Sequence, residues 1–172
     1  MNRLLINTPI TANWDSDTNI DKKTIMDADN ILRSSQADIA YPYNGIVYQT
    51  SDILQIYYLN TKDIKVLYKN LNKLDFLYNQ PIYGGAVFVN SNKYIDAGIE
   101  NERHYGWGNE YYDCYNRFTN LGYNVYRVDA HLFHLCHPRK ENSSFRPKTF
   151  HYISSNELFR TSNSSNKSYR IT

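Results

Sequence analysis

The stretch Gly84-Gly85-Ala86-Val87-Phe88-Val89 places four consecutive apolar residues directly after two glycines. A short apolar run of this kind predicts a buried strand. Outward from it, Pro81 ends the preceding segment, and Ser91 can cap a short helix through Ala97 that stops at Gly98. The stretch therefore predicts a strand followed directly by a helix.

Strands and helices also alternate along the rest of the chain. Helical spacing of apolar residues predicts helices at residues 21–33, 51–59, 63–77 and 109–121. Short apolar runs predict strands at residues 4–6, 10–14, 37–41, 124–128 and 131–136. This alternation predicts an α/β architecture, in which ligands bind beyond the carboxyl ends of the strands.

The distribution of polar residues predicts the domain boundary. We expect one domain over residues 1–150 and a polar C-terminal tail over residues 151–172. The chain is rich in Ser and Asn and poor in apolar residues from Ser154 onward, so we expect that part to be frayed.

Charge and composition exclude some classes of function. The 19 basic and 17 acidic residues give a net charge of +2, which offers no electrostatic argument for nucleic acid binding. No apolar run approaches the roughly 20 residues of a membrane span. The first apolar run breaks off at Pro9, too early for a signal peptide core. Because Cys114 and Cys136 form no metal-type pair, a reduced, cytoplasmic setting is expected.

Asp15-Ser16-Asp17 follows the strand predicted at residues 10–14. Two carboxylates two positions apart in a loop can both face one divalent cation, or one can bind the ion and the other a sugar hydroxyl. Mg²⁺ and Mn²⁺ favour such oxygen ligands. The alternative is a solvated turn, because Asp and Ser are ordinary turn residues.

The stretch Gly106-Trp107-Gly108-Asn109-Glu110 leads into a predicted helix. Flanking glycines let the backbone approach a ligand closely, so Trp107 can stack on a sugar ring, and the alternative is a core tryptophan. Glu110 is favoured at a helix N-terminus by the helix dipole, as a site residue or as a simple cap. Asp113 lies one turn later and can share that face or pair with Arg117.

His134 and His137 are the last candidate site residues. In an extended strand they would point to opposite faces, but a bend at His137-Pro138 could bring both to one site. Imidazoles are compatible with Mn²⁺ in a mixed shell of oxygen and nitrogen ligands. The alternative is that each is a structural, hydrogen-bonded histidine.

Taken in order, these motifs resemble the C-terminal galactosyltransferase segment of inverting glycosyltransferases. That segment occurs in β-1,4-galactosyltransferases, polypeptide N-acetylgalactosaminyltransferases and bacterial chondroitin-polymerase-like enzymes. The resemblance extends over about residues 10–142. The motifs that carry it are Trp14-Asp15-Ser16-Asp17, residues 37–45, Gly84-Gly85-Ala86-Val87-Phe88, Gly98, Glu102, Gly106-Trp107-Gly108-Asn109-Glu110, Asp113, Arg117, Gly122 and His134-Leu135-Cys136-His137-Pro138-Arg139.

The resemblance implies a nucleotide-diphospho-sugar transferase fold and an Asp-x-Asp site for a UDP-sugar. It implies that Asp17 coordinates Mn²⁺, with Mg²⁺ as the alternative ion, and that His137 and His134 complete the metal shell. Asp15 would lie on the nucleotide sugar.

The resemblance also assigns residues to the two sugars. It implies that Gly84 and Gly85 line the donor sugar and that Trp107, with Tyr105, contacts the acceptor. Glu110 would bind donor or acceptor hydroxyls.

This sequence departs from the family pattern at two places. Family members carry an Asp base directly after the Glu of the motif, where this chain has Tyr111, and a phenol with a pKa of about 10 is a poor base. Either Glu110 or Asp113 then takes that role, or activity is weak or absent. In addition, only 14 residues precede Asp15, where family members have several nucleotide-binding βα units, so an N-terminally truncated version of the fold is expected.

The resemblance therefore implies a Mn²⁺-dependent hexosyltransferase acting in polysaccharide biosynthesis. The enzyme would transfer galactose, N-acetylgalactosamine or a related hexose from a UDP-sugar to a saccharide acceptor with inversion. The competing hypothesis is a non-catalytic carbohydrate-binding or partner-dependent remnant of such an enzyme. An exposed edge beside the first strand would favour a homodimer or a partner chain that completes the sheet.

Overall fold

The computed structural model describes residues 6–104, 109–137 and 148–163. Its first sheet is built around the strand predicted from the two glycines. That strand, β6 (Ala86–Asn90), pairs antiparallel with β1 (Ile10–Trp14) on one side and with β3 (Ile39–Tyr41) on the other. β7 (Val125–Arg127) then pairs parallel with β3, which gives the order β1-β6-β3-β7.

The second sheet is smaller and is also mixed. Its strand β8 (Leu132–His134) pairs antiparallel with β2 (Thr18–Asn19) and parallel with β4 (Val47–Gln49). β5 (Asp75–Phe76) pairs antiparallel with β4 at the other edge. Every strand here has only two or three residues, so the sheet depends on packing around it rather than on its own length.

Six helices surround the sheets in the described part of the chain: α1 (Lys22–Arg33), α2 (Asp52–Thr61), α3 (Lys65–Tyr68), α4 (Ser91–Asp96), α5 (Asn109–Asn120) and α6 (Lys148–Ser162). Asp21 caps α1 and Ser51 caps α2 through their side chains. The cap of α4 is Asn90, one residue before the predicted Ser91. Among the described helices, none combines the length and the apolar composition needed to cross a bilayer.

Alternating residues of the first sheet pack into two separate cores. Ile39, Val87 and Val89 belong to the main core with Phe118 of α5. Ala40 instead joins a second core beneath α1, and Phe88 packs against it. Because both faces of this sheet are covered, the predicted α/β class is confirmed as a mixed α/β arrangement. The nucleotide-diphospho-sugar transferase fold remains a prediction.

The helix predicted for residues 63–77 is wrong in its length. The chain instead forms α3, a 3-10 turn at Leu71–Lys73 and the strand β5. Tyr48 of β4 pairs with Phe76 of β5, and their ring centroids lie 4.9 Å apart. Pairing with β4 therefore replaces the local helical preference of this segment.

The frayed C-terminal segment predicted from Ser154 onward is also wrong as far as residue 163. Residues through Ser162 belong to α6, and the predicted boundary at residue 150 falls inside this helix. The side chains that α6 buries are Ser154, Glu157 and Thr161. Because this buried face is polar, a search for apolar residues at helical spacing does not detect it.

The edge expected beside the first strand is present. Among the described residues, β1 pairs only with β6, so it lies at one end of the first sheet. Dimerisation or binding of a partner chain at this edge remains a prediction.

The docking of α6 predicts a pH-dependent stability. Hydrogen bonds from Arg160, followed by one from Asn101, lower the pKa of the buried Glu157 from 4.5 to about 2. A carboxyl group whose pKa is lower in the folded state than in the unfolded state stabilises the fold at pH values above its unfolded pKa. This contribution is lost as the pH falls through the folded pKa. Glu157→Gln should therefore reduce the free energy of unfolding at neutral pH by about 1–3 kcal/mol.

Urea unfolding across the acid range checks this prediction. The gap between Glu157→Gln and the parent protein should close as pH falls from 4.5 towards 2. The exposed Glu102→Gln is the matched control and should change little at any pH. A gap that stays constant with pH would contradict the role assigned to Glu157.

Candidate functional site

Asp17, His134 and His137 converge at one point of the surface. The Asp17 Oδ2 atom lies 3.3 Å from His134 Nε2 and 3.1 Å from His137 Nε2. The three ligand-type atoms lie within 4.8 Å of one another. His134 is mostly buried, Asp17 is partly exposed and His137 is exposed, so the cluster opens towards solvent. The structure thus brings together the three residues predicted to hold a metal.

The second sheet explains why these residues meet. Thr18 of β2 is paired directly with His134 of β8, which places Asp17 beside the histidine. The Leu135 N–H donates to the Asp17 carbonyl over 2.8 Å and extends this pairing by one residue. The chain leaves the strand after His134, so His137 reaches the same carboxylate. Pro138, the predicted cause of the bend, lies outside the described residues.

The chemistry of this ligand set fits a divalent transition metal. Two imidazoles and one carboxylate suit Mn²⁺, Fe²⁺ or Zn²⁺ better than Mg²⁺, which prefers oxygen ligands alone. Three protein ligands on an open surface would leave coordination positions for a substrate. The three side chains are also close enough to satisfy one another by hydrogen bonds, which is the structural alternative stated above.

Asp15 is fixed at the junction between the two sheets. Its N–H donates to the Gly85 carbonyl over 2.9 Å, and the Thr18 hydroxyl lies 3.1 Å from the same oxygen and 2.9 Å from the Asp15 carbonyl. Gly85 has a φ of +90°, a backbone conformation that is strained in residues with a side chain. The predicted donor-side residues Asp15 and Gly85 are therefore in contact.

Gly84 packs against the ring of Tyr111. A Cβ atom at Gly84 would lie 2.9 Å from that ring, so only glycine fits here without movement. The hydroxyl of the buried Tyr43 donates to the Gly84 carbonyl. Close packing on both sides holds Gly84 next to Gly85 and Asp15. These three residues are called the donor wall below.

Arg127 contacts residues that pack next to the donor wall. Its guanidinium donates to the Ile82 carbonyl over 2.9 Å. It lies 4.5 Å from the ring centre of Tyr41 and 4.6 Å from that of Tyr83, which are cation–π contacts. No local pattern marks Arg127 in the sequence, because the tyrosines that surround it come from separate segments. The tyrosines on both sides of Pro42 and the one two residues after Pro81 were the available signal.

Tyr111 is the residue at the position where the resemblance leads us to expect a catalytic Asp. Its hydroxyl donates to Asp15 Oδ1 over 2.6 Å. Burial, reinforced by that hydrogen bond, raises the pKa of Tyr111 far above the ordinary value of 10. Tyr111 is therefore a hydrogen-bond donor that holds Asp15, in keeping with the expectation that it cannot act as a base.

Glu110 lies in the first turn of α5 and is partly exposed. It directly precedes Tyr111, whose hydroxyl contacts Asp15, so the start of α5 borders the predicted donor wall. Its assignment as the base remains a prediction.

Asp113 is completely buried and is engaged in a polar network. Arg117 Nε donates to Asp113 Oδ2 over 2.8 Å, and His104 Nε2 lies 3.5 Å from Oδ1. Burial opposes ionisation of Asp113, but the neighbouring His104 ring and the charge of Arg117 outweigh it and hold its pKa below the usual value. The Asp113–Arg117 pair proposed as an alternative is confirmed, and this environment favours a structural role.

The predicted acceptor residues Tyr105 and Trp107 lie outside the described residues, but the positions on either side are described. His104 Nδ1 lies 2.9 Å from the Ser154 hydroxyl, and Asn109 Nδ2 donates to the same hydroxyl over 3.1 Å. Ser154 of α6 thus joins the two ends of this segment. Ser154 was not a predicted site residue, because it lies in the stretch expected to be a polar tail.

No protein-family model matches this chain, and no curated protein matches it either. The similarity to the galactosyltransferase segment therefore depends on the motifs themselves.

The buried network predicts a clear difference between two neighbouring carboxylates. Asp113→Asn should lower the free energy of unfolding by about 3–5 kcal/mol, because it leaves the buried Arg117 without its counter-charge. Glu110→Gln, on the more exposed side of the same helix, should cost less than about 1 kcal/mol. Denaturant unfolding measures both, and equal stabilities would contradict the structural role of Asp113.

Proposed function

We propose that this chain is a Mn²⁺-dependent hexosyltransferase that transfers a hexose, such as galactose or N-acetylgalactosamine, from a UDP-sugar to a saccharide acceptor with inversion. The observation that carries the proposal is the convergence of Asp17, His134 and His137 directly beside Asp15 and the Gly84-Gly85 turn. The order of these motifs along the chain, rather than any one of them, supports this assignment.

The ligand set suits the chemistry of the proposed reaction. A divalent ion bound there would neutralise the charge that develops on the departing diphosphate. Asp17, His134 and His137 would hold that ion, and the exposed side of His137 leaves room for diphosphate oxygens. Because two of the three ligands are imidazoles, we expect Mn²⁺ to support binding better than Mg²⁺.

The residues around the cluster would position the sugar. Asp15 is held by its backbone bond to Gly85 and by the Tyr111 hydroxyl on Oδ1, and its second carboxylate oxygen would accept a bond from a sugar hydroxyl. Gly84 and Gly85 present backbone without side chains, which allows a sugar ring to approach closely. Glu110 would accept the proton of the attacking acceptor hydroxyl as general base.

One observation favours the second candidate function, a non-catalytic carbohydrate-binding or partner-dependent remnant. Tyr111 replaces the usual base, and its short hydrogen bond to Asp15 consumes one acceptor of the predicted donor site. A site organised in this way can bind a saccharide without transferring it. Binding of saccharides in the absence of any metal would support this candidate.

Binding of UDP tests the metal site. Titration calorimetry should show UDP binding with Mn²⁺ and little binding without it. Asp17→Asn should abolish the binding of UDP that requires Mn²⁺, because it removes the anionic ligand of the metal. Asp27→Asn on α1 is the matched control for loss of one carboxylate and should bind as the parent protein does. Absence of UDP binding with and without Mn²⁺ would overturn the proposal for this chain alone.

Glu110→Gln tests the base. The variant should retain UDP binding with Mn²⁺ but should lower the rate of hexose transfer by about 10²–10⁴-fold, the range typical of general base catalysis. Transfer is measured as UDP release in the presence of a saccharide acceptor. A variant that transfers the hexose at the parent rate would remove Glu110 from the mechanism.

A further inference from the structure

α2 differs from the other described helices in the residues that it exposes. It buries none of its ten residues completely, although most of them are apolar or aromatic. Ile53 is 79% exposed, Ile56 is 61% exposed and Tyr57 is 55% exposed. Ile56 and Tyr57 follow Ile53 by three and four residues, so the three side chains lie on one face of the helix.

The opposite face of α2 faces the protein. Leu54 and Tyr58 pack against the small core formed by Leu67, Leu74 and Phe133. The Tyr58 hydroxyl donates to Asn19 Oδ1 over 2.7 Å, which attaches the helix to β2. α2 is therefore a docked helix with a fixed orientation, and its isoleucines are directed away from the protein.

Positive charge follows this apolar face along the chain. From the start of α2, residues 52–74 contain four lysines (Lys62, Lys65, Lys69 and Lys73) and two acidic residues (Asp52 and Asp63), so their net charge is 4 − 2 = +2. The whole chain also has a net charge of +2, so this segment equals the entire excess of positive charge. All four lysines are exposed.

We propose that α2 and the lysines that follow it form a docking surface for an anionic lipid bilayer. A helix that lies in the membrane interface inserts an apolar face below the headgroups, and adjacent lysines are attracted to anionic lipids. Isoleucine suits the acyl region and Tyr57 suits the headgroup level, because its ring is apolar and its hydroxyl is polar. The net charge of +2 on residues 52–74, with all four lysines exposed, favours a bilayer of negative surface potential as the occupant.

The position of α2 connects this surface with the candidate metal site. Cys136 lies between His134 and His137 in the sequence, its N–H donates to Thr50 Oγ1 over 2.9 Å, and its Sγ lies 3.1 Å from Asp52 Oδ1. Ile53, the most exposed isoleucine of α2, directly follows Asp52. A bilayer bound to α2 would therefore lie close to the candidate site. The docking surface does not depend on the proposed activity.

Vesicle co-sedimentation tests this proposal with the full chain. The protein should bind vesicles that mix phosphatidylglycerol with phosphatidylcholine, should bind pure phosphatidylcholine much more weakly, and should be released by high salt. Ile53→Gln/Ile56→Gln should weaken binding by about tenfold or more, because both side chains lose their buried area in the bilayer. Glutamine keeps the helix propensity, and circular dichroism checks that the fold is retained.

Two control variants separate the surface from general stickiness. Phe159→Gln removes an apolar side chain that is 72% exposed on α6 and should leave vesicle binding unchanged. Lys65→Gln/Lys69→Gln should weaken binding by about fivefold for each lysine, whereas Lys22→Gln/Lys23→Gln on α1 should not. Three results would overturn the proposal: no binding to anionic vesicles, equal binding to neutral vesicles, or a concentration-dependent dimer that only Ile53→Gln/Ile56→Gln disrupts. The last result would assign the face to a second copy.

Discussion

The carbonyl oxygen of Gly85 is the connection on which the arrangement of the two sheets depends. It accepts the Asp15 N–H and lies within hydrogen-bonding distance of the Thr18 hydroxyl, exactly where the chain leaves β1 and enters β2. Because β2 sets the position of Asp17 against His134, the metal-type cluster depends on a backbone contact made by the glycine that directly precedes β6.

Parts of this fold were predictable because the signals are local. Asp21 and the apolar residues at helical spacing after it predicted the bounds of α1 to within one residue. The two glycines before an apolar run predicted β6. The segment at residues 63–77 was not predictable in this way. Its leucines repeat at helical spacing, but the partner that converts residues 75 and 76 into a strand is β4, more than twenty residues earlier in the chain.

The candidate site also combines features that local patterns predict with features that depend on tertiary contacts. Residue types indicated Asp15, Asp17, His134 and His137 as candidates, since carboxylates and imidazoles are the usual ligands of divalent ions, and the family resemblance implied Asp17 and the two histidines as the metal shell. Their meeting depends on the pairing of Thr18 with His134, which no local pattern encodes. Asp113 shows the opposite case: it lies on a helix beside Glu110, yet the contacts with Arg117 and His104 place it in the interior. Sequence spacing identifies neighbours on a helix and does not distinguish which of them tertiary packing will bury.

The bonds made by Ser154 have a consequence for local unfolding. His104 and Asn109 both contact this single hydroxyl, so the end of the loop after α4 and the first residue of α5 are held at one point on α6. Local unfolding of the C-terminal helix would therefore remove a hydrogen-bond partner from the start of α5, the turn that carries Glu110. The stability of that turn is in this way thermodynamically linked to the docking of α6, while the cluster of Asp17, His134 and His137 has no contact with Ser154 among the described residues.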